Sequence, residues 1–170
     1  GYRWLRTLED FQFGGILADD MGLGKTLQVI AVLLSAKQEG RKGVSLVVAP
    51  ASLVFNWGEE IHKFAPELTF ALISGTQEER RRKLENYEEA DVLITSYDLL
   101  KRDAPFYEGK EFLYQIIDEA QYIKNHQTVA AKAVKVIKSQ TRFALTGTPI
   151  ENRLSELWSI FDYLMPGFLY

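Results

Sequence analysis

Gly15-Ile16-Leu17-Ala18 runs through Asp19-Asp20 into Met21-Gly22-Leu23-Gly24-Lys25-Thr26, and then into Leu27-Gln28-Val29-Ile30-Ala31-Val32-Leu33-Leu34. The three parts read as a buried strand, a glycine-bearing loop and a helix that is apolar nearly all round, hence buried against a sheet. Such a loop binds anions: successive backbone N–H groups converge on phosphate oxygens, and the helix N-terminus adds the positive end of its dipole. The glycines are needed because a side chain would block that approach. In this arrangement Asp20, Met21, Gly22, Leu23 and Gly24 cradle the phosphates of a nucleotide. Lys25 reaches the β- and γ-phosphates, and the Thr26 hydroxyl ligates Mg²⁺. The strict pattern asks for glycine five positions before Gly24, where Asp19 stands. That departure points to a subclass of nucleotide-binding proteins.

The same alternation continues along the chain. Ser45-Leu46-Val47-Val48-Ala49, closed by Pro50, is a strand buried on both faces. Ser52 is placed to cap a helix running through Trp57 and Ile61 to Phe64, with Pro66 as its stop. Thr69–Ser74, Val92–Thr95, Tyr114–Asp118 and Arg142–Thr146 read as further strands. Gln77–Tyr87, His126–Lys138 and Leu154–Leu164 read as helices, and Gly40–Gly43 and Asp103–Lys110 as surface loops. Strands with two apolar faces alternating with helices imply one α/β domain, a mostly parallel sheet with helices on both faces.

At 170 residues the length suits one domain. A net charge of −3 excludes a globally basic nucleic-acid coat protein but not a local basic face. The chain has no cysteine, which excludes a disulfide framework, a thiolate zinc site and a cysteine nucleophile. Its two histidines, His62 and His126, are too isolated for a metal cluster, and His62 reads as a surface or a hydrogen-bonded residue and not as a ligand. No apolar run approaches the roughly 18 residues of a membrane span. The chain opens on Gly1-Tyr2-Arg3-Trp4-Leu5 and closes on Pro166-Gly167-Phe168-Leu169-Tyr170, and it reads as part of something longer.

Ile116-Ile117-Asp118-Glu119-Ala120-Gln121 places two carboxylates at the C-terminal end of a buried strand, the end at which open parallel sheets bind ligands. Asp118 fits the role of holding Mg²⁺ through water. Glu119 fits that of polarising an attacking water, since an in-line displacement needs an acceptor near the γ-phosphate.

Four segments in fixed order, and the chain's opening, then carry a family likeness. Asp19–Thr26 resembles motif I of the Swi/Snf-type superfamily-two DNA translocases. Val48-Ala49-Pro50-Ala51-Ser52-Leu53-Val54 with Asn56-Trp57 resembles motif Ia. Asp118-Glu119-Ala120-Gln121 with Lys124-Asn125 resembles motif II, and Leu145-Thr146-Gly147-Thr148-Pro149-Ile150-Glu151-Asn152 resembles motif III. Gly1–Leu5 resembles the tail of the adenine-recognition segment. The resemblance implies residues 1–170 to be the first RecA-like lobe, a three-layer α/β sandwich, of a two-lobed, ATP-driven double-stranded DNA translocase. It implies DNA-dependent ATPase activity in the parent, with Lys25, Asp118, Glu119 and Gln121 as catalytic residues. The arginine fingers would come from the second lobe. Since such a finger is worth roughly 10³–10⁵ in kcat, the 170 residues alone are expected to bind ATP weakly and to hydrolyse it barely or not at all. Gln121 stands where many family members carry histidine, as in bacterial and archaeal relatives. Its amide is expected to bridge the γ-phosphate region to motif III.

The resemblance assigns motif Ia with Ser52, the Thr95-Ser96-Tyr97 turn and Lys124-Asn125 to a DNA track. It gives Thr146, Gly147 and Thr148 the coupling of nucleotide state to that track. Contacts of this kind go to phosphates, so binding is expected to be independent of sequence and sensitive to salt. Ser52 reads equally as a plain helix cap. Glu78–Lys83 mixes charges on one helix and reads as a solvated face. Lys132, Lys135 and Lys138 read as the wet side of an amphipathic helix, and Trp57, Trp158, Phe64 and Phe161 as core. Two other readings stay open: an RNA helicase lobe, although that type carries a Ser-Ala-Thr motif III, and a non-hydrolysing nucleotide- or DNA-binding interaction domain. No membrane partner is expected. The setting would be cytoplasmic and nucleoid-associated in a bacterium or archaeon, nuclear in a eukaryote.

Overall fold

Runs of β-branched and other apolar residues set the frame. In the computed structural model, which describes residues 15–18, 22–125, 128–146, 159–160 and 162–165, they form strands β1 (Gly15–Ala18), β2 (Ser45–Ala49), β3 (Phe70–Leu72), β4 (Val92–Ser96), β5 (Glu111–Ile117) and β6 (Lys138–Thr146). Between them lie helices α1 (Gly22–Gln38), α2 (Ala51–Phe64), α3 (Gln77–Glu85), α4 (Tyr97–Asp103) and α5 (Val129–Val136). The strands make one sheet in the order β1-β6-β5-β2-β4-β3, and every neighbouring pair is parallel.

Alternation along each strand divides the core in two. Val47 and Ala49 of β2 face one layer, with Val29, Ile30 and Leu33 of α1 and Val54, Trp57 and Ile61 of α2. Leu46 and Val48 face the other, with Tyr97 and Leu100 of α4 and Ala131 and Val134 of α5. Helices therefore cover both faces, as the sequence implies, and each fully buried Val, Leu or Ile contributes about 1.5–3 kcal/mol. The α2 helix sits so close to β3 that a Cβ on Gly58 would lie 2.7 Å from the Phe70 ring. That approach offsets the usual cost of glycine in a helix.

At the N-terminal edge of the sheet, Asp91 accepts from Lys37 Nζ at 2.7 Å and from the Thr69 N–H at 2.9 Å, tying the end of α1 to the starts of β3 and β4. Burial pushes its carboxyl up, but hydrogen bonds from Lys37 and Thr69 outweigh that and hold it below the usual aspartate range. No helix among the described residues is long and apolar enough to cross a membrane.

Several local expectations are corrected. The helix expected at His126–Lys138 is Val129–Val136, capped by Thr128, whose hydroxyl accepts the Ala131 N–H, and Lys138 opens β6. The α4 helix replaces the turn expected after Thr95. Its N-cap, Ser96, is also the last residue of β4, so no loop separates the two and no polar stretch announces the helix. Residues 104–107, expected in a loop, form a 3₁₀ turn whose Tyr107 is buried.

Arg80, expected on a solvated face, is 5% exposed and forks onto Asp103, itself 0% exposed. Phe64, expected in the core, is 44% exposed at the last position of α2. Lys135, expected on a wet face, is half-buried and reaches Ser159 Oγ at 3.1 Å and Asp162 at 3.4 Å, while Lys132 is exposed. Trp57 is buried as expected, and His62 is exposed. Trp158 and Phe161, with most of the Leu154–Leu164 helix, lie outside the described residues.

Candidate functional site

Because all six strands run the same way, their C-terminal ends share one edge. Ala18 of β1 pairs with Thr146 of β6, and Ile117 of β5 pairs with both Ala144 of β6 and Val48 of β2. The segments that follow β2 and β5, namely the start of α2 and Asp118-Glu119, therefore leave the sheet side by side.

The loop expected over Met21–Thr26 is helical from Gly22 onward, so α1 starts five residues before its buried run. An α-helix leaves its first N–H groups without intrahelical acceptors. Those of Gly22, Leu23, Gly24 and Lys25 consequently point out of the helix end, on the residues the sequence singles out. Asp20, Met21, Gly147 and Thr148 lie outside the described residues.

A cavity of about 270 Å³ opens at this edge, lined by Lys25, Thr26, Leu53, Asn56, Trp57, Glu60, Asp118 and Glu119. Lys25 is 2% exposed, Thr26 9% and Asp118 7%. A larger hollow of about 660 Å³ lies at the opposite edge, among Lys37, Arg41, Glu88, Asp91 and Glu111. It is lined by charges of both signs and contains none of the residues that the sequence picks out.

Asp118 is fixed at both oxygens. Oδ2 accepts from the Trp57 indole at 2.9 Å, and Oδ1 accepts from the Glu119 N–H at 2.8 Å. Burial raises its pKa, with the Glu119 charge adding to the rise; the Trp57 hydrogen bond, the Glu119 N–H and the Lys25 ammonium oppose it. The Tyr97 hydroxyl donates to the Asp118 carbonyl at 2.7 Å. Glu119 has φ 52°, the one positive φ outside glycine among the described residues. That left-handed kink costs of order 1–3 kcal/mol, and strain of this size gathers at functional sites.

The kink carries Glu119 to Gln121, whose Nε2 donates to Glu119 Oε2 at 2.5 Å, while its Oε1 accepts from Thr146 Oγ1 at 3.3 Å. One amide thus joins the acidic strand end to the end of β6. A hydroxyl from Thr26 and a carboxylate from Asp118, facing one cavity, form an all-oxygen donor set. This suits Mg²⁺, which keeps several waters and takes few protein ligands beside substrate phosphates.

The residues assigned to a DNA track are more scattered. Lys124 and Asn125 are exposed just beyond the acidic turn, and Ser52 is exposed on the first turn of α2. Ser52 does not cap that helix. Pro50 holds the N-cap position with φ −56° and ψ 147°, and the helix starts at Ala51, so the Ser52 hydroxyl is already past the point where it could cap. Thr95 and Ser96 are 0% and 4% exposed. The Thr95 hydroxyl donates to the Ile73 carbonyl at 3.3 Å, and Ser96 Oγ accepts the Leu99 N–H at 3.2 Å. Neither hydroxyl is presented at the surface.

Sequence reasoning missed Asn56, Trp57 and Glu60 as cavity residues and Tyr97 as a support for Asp118. The signal for Trp57 was present: a buried indole needs an acceptor, and the end of β5 lies beside the end of β2.

The SNF2-related domain family profile matches residues 1–170. The chain belongs to the SNF2-related domain family. This SNF2-related domain is 48% identical over 170 residues to a protein of Mycoplasma genitalium named as an uncharacterized ATP-dependent helicase, covering 99% of this chain and 16% of that protein. It is 41% identical over 181 residues to the TATA-binding protein-associated factor MOT1 of Saccharomyces cerevisiae, covering 99% of this chain and 10% of that one. The SWI2/SNF2 ATPase core of Sulfolobus solfataricus, solved in complex with dsDNA, superposes with a TM-score of 0.89 at 50% identity, over 98% of this chain and 34% of that chain. The architecture is the RecA-like α/β fold of that core. The domain spans about a sixth or less of the length of these two curated relatives.

Proposed function

We propose that this SNF2-related domain is the ATP-binding lobe of an ATP-driven double-stranded DNA translocase. The observation that carries the reading is the convergence of Lys25, Thr26, Asp118 and Glu119 on one cavity at the head of α1. The Sulfolobus core, solved in complex with dsDNA, favours a duplex as the track. The share of the relatives and of that core left unmatched leaves room for the second lobe.

The chain's own residues divide the work. Backbone N–H groups of Gly22–Lys25 and the Lys25 ammonium bind and orient the phosphates. Thr26 and Asp118 would hold Mg²⁺, which when bound neutralises charge on the transferring phosphoryl group. Glu119 accepts a proton from the water it orients, and Gln121 holds the Glu119 carboxylate while reporting its position to Thr146. Exposed Lys124, Asn125 and Ser52 are placed to meet backbone phosphates, which carry no sequence information.

The test is steady-state ATP hydrolysis by the full-length protein with and without duplex DNA. The expected result is stimulation by duplexes of unrelated sequence, falling steeply between about 50 and 200 mM salt as phosphate contacts are screened. Stimulation by RNA alone would favour an RNA helicase. Nucleotide binding without hydrolysis under any nucleic acid would make the domain an interaction module.

A further inference from the structure

Helix α2 carries two side chains, Trp57 and Glu60, that sit three residues apart on one face and meet the two groups assigned to the metal. Trp57, 2% exposed, donates its indole N–H to Asp118 Oδ2 at 2.9 Å. Glu60 hydrogen-bonds the Thr26 side chain and lines the same cavity. An indole nitrogen donates and cannot accept, so it orients a carboxylate without competing for a cation. A threonine hydroxyl that donates its proton to a carboxylate turns its lone pairs elsewhere, which is the state a metal ligand needs. The arrangement holds both oxygen donors from a single rigid element, and that element begins at the strand end where Ser52 is exposed.

We propose that Trp57 and Glu60 are positioning residues that set Asp118 and Thr26 for the magnesium–nucleotide complex. This rests on the ATP-binding reading above. Partners that orient a metal ligand typically change metal affinity by about 10–100-fold when removed. Trp57→Phe removes the N–H and keeps most of the buried ring. Glu60→Ala removes the acceptor, whereas Glu60→Gln keeps an oxygen in its place.

The measurement is the Mg²⁺ concentration that half-saturates binding of a fluorescent ATP analogue to the full-length protein, beside the affinity for that analogue in EDTA. Trp57→Phe and Glu60→Ala are expected to need about tenfold more Mg²⁺ or above, with no comparable loss of affinity in EDTA and with Glu60→Gln close to wild type. Should Trp57→Phe fail to fold, the two Glu60 variants decide alone, because Glu60 is only half-buried. A wild-type Mg²⁺ requirement shared by all the variants overturns the positioning role and leaves the ATP site standing. A wild-type protein whose nucleotide affinity ignores Mg²⁺ overturns the ATP-site reading, and this inference with it.

Discussion

Glu119→Gln is expected to leave nucleotide affinity unchanged and to lower DNA-stimulated ATP turnover by about 10²–10⁴-fold, the usual worth of a positioned general base. The exchange keeps shape and hydrogen-bonding reach but removes the group that can take a proton. Glu119 sits on a left-handed kink that is costly for any residue with a side chain, so the fold holds it at the cavity rim instead of letting it relax. Gln121 grips its carboxylate from one side, and Thr146 grips Gln121 from the other. Equal loss of binding and turnover in Glu119→Gln would make Glu119 a ligand and not a base. Unchanged turnover would place the base elsewhere.

The largest effect on stability is expected at Arg80. Its Nε and Nη2 donate to the two oxygens of Asp103 at 2.8 and 3.0 Å, and its Nη1 donates to the Gly75 carbonyl at 2.8 Å. Both partners are buried, so the pair has already lost its hydration, and removing one member strands the other charge. Arg80→Met is therefore expected to destabilise the domain by about 3–5 kcal/mol. At roughly 2–4 °C per kcal/mol for a domain of this size, that is a fall of about 6–20 °C in Tm. Arg80→Lys should recover little, because an ammonium cannot reproduce the two-pronged contact. Arg80→Met combined with Asp103→Leu should recover most of the loss, since replacing a whole buried pair by apolar groups is often neutral. A single variant that melts like wild type would show the pair to be hydrated in solution.

The sheet was legible from the sequence because burial on both faces forces continuous apolar runs. Ser45–Ala49 can be little else, and Asp118-Glu119 stands out because two carboxylates directly follow such a run. The order of segments was enough for the family likeness, which the profile match over residues 1–170 bears out. The misses share a physical cause: the deciding partner is distant in the chain. Arg80 lies in a string of charges, and only Leu84, one turn on, marks the buried face of α3. Asp103, its counterion, is 23 residues away. Trp57 reads as ordinary core until the neighbouring strand end brings Asp118 within reach, 61 residues away. Thr95 and Ser96 look exposed because they are polar, yet one satisfies a carbonyl beside the sheet and the other caps α4.

If the cavity at the head of α1 is a magnesium–nucleotide site, calorimetric titration of MgATP into the full-length protein and into its Lys25→Ala variant must tell the two apart. The buried ammonium makes charge-assisted contacts worth about 1.5–3 kcal/mol, so the variant should bind about 10–100-fold more weakly while its Tm without nucleotide stays near wild type. Equal affinity in the two proteins would place the nucleotide elsewhere.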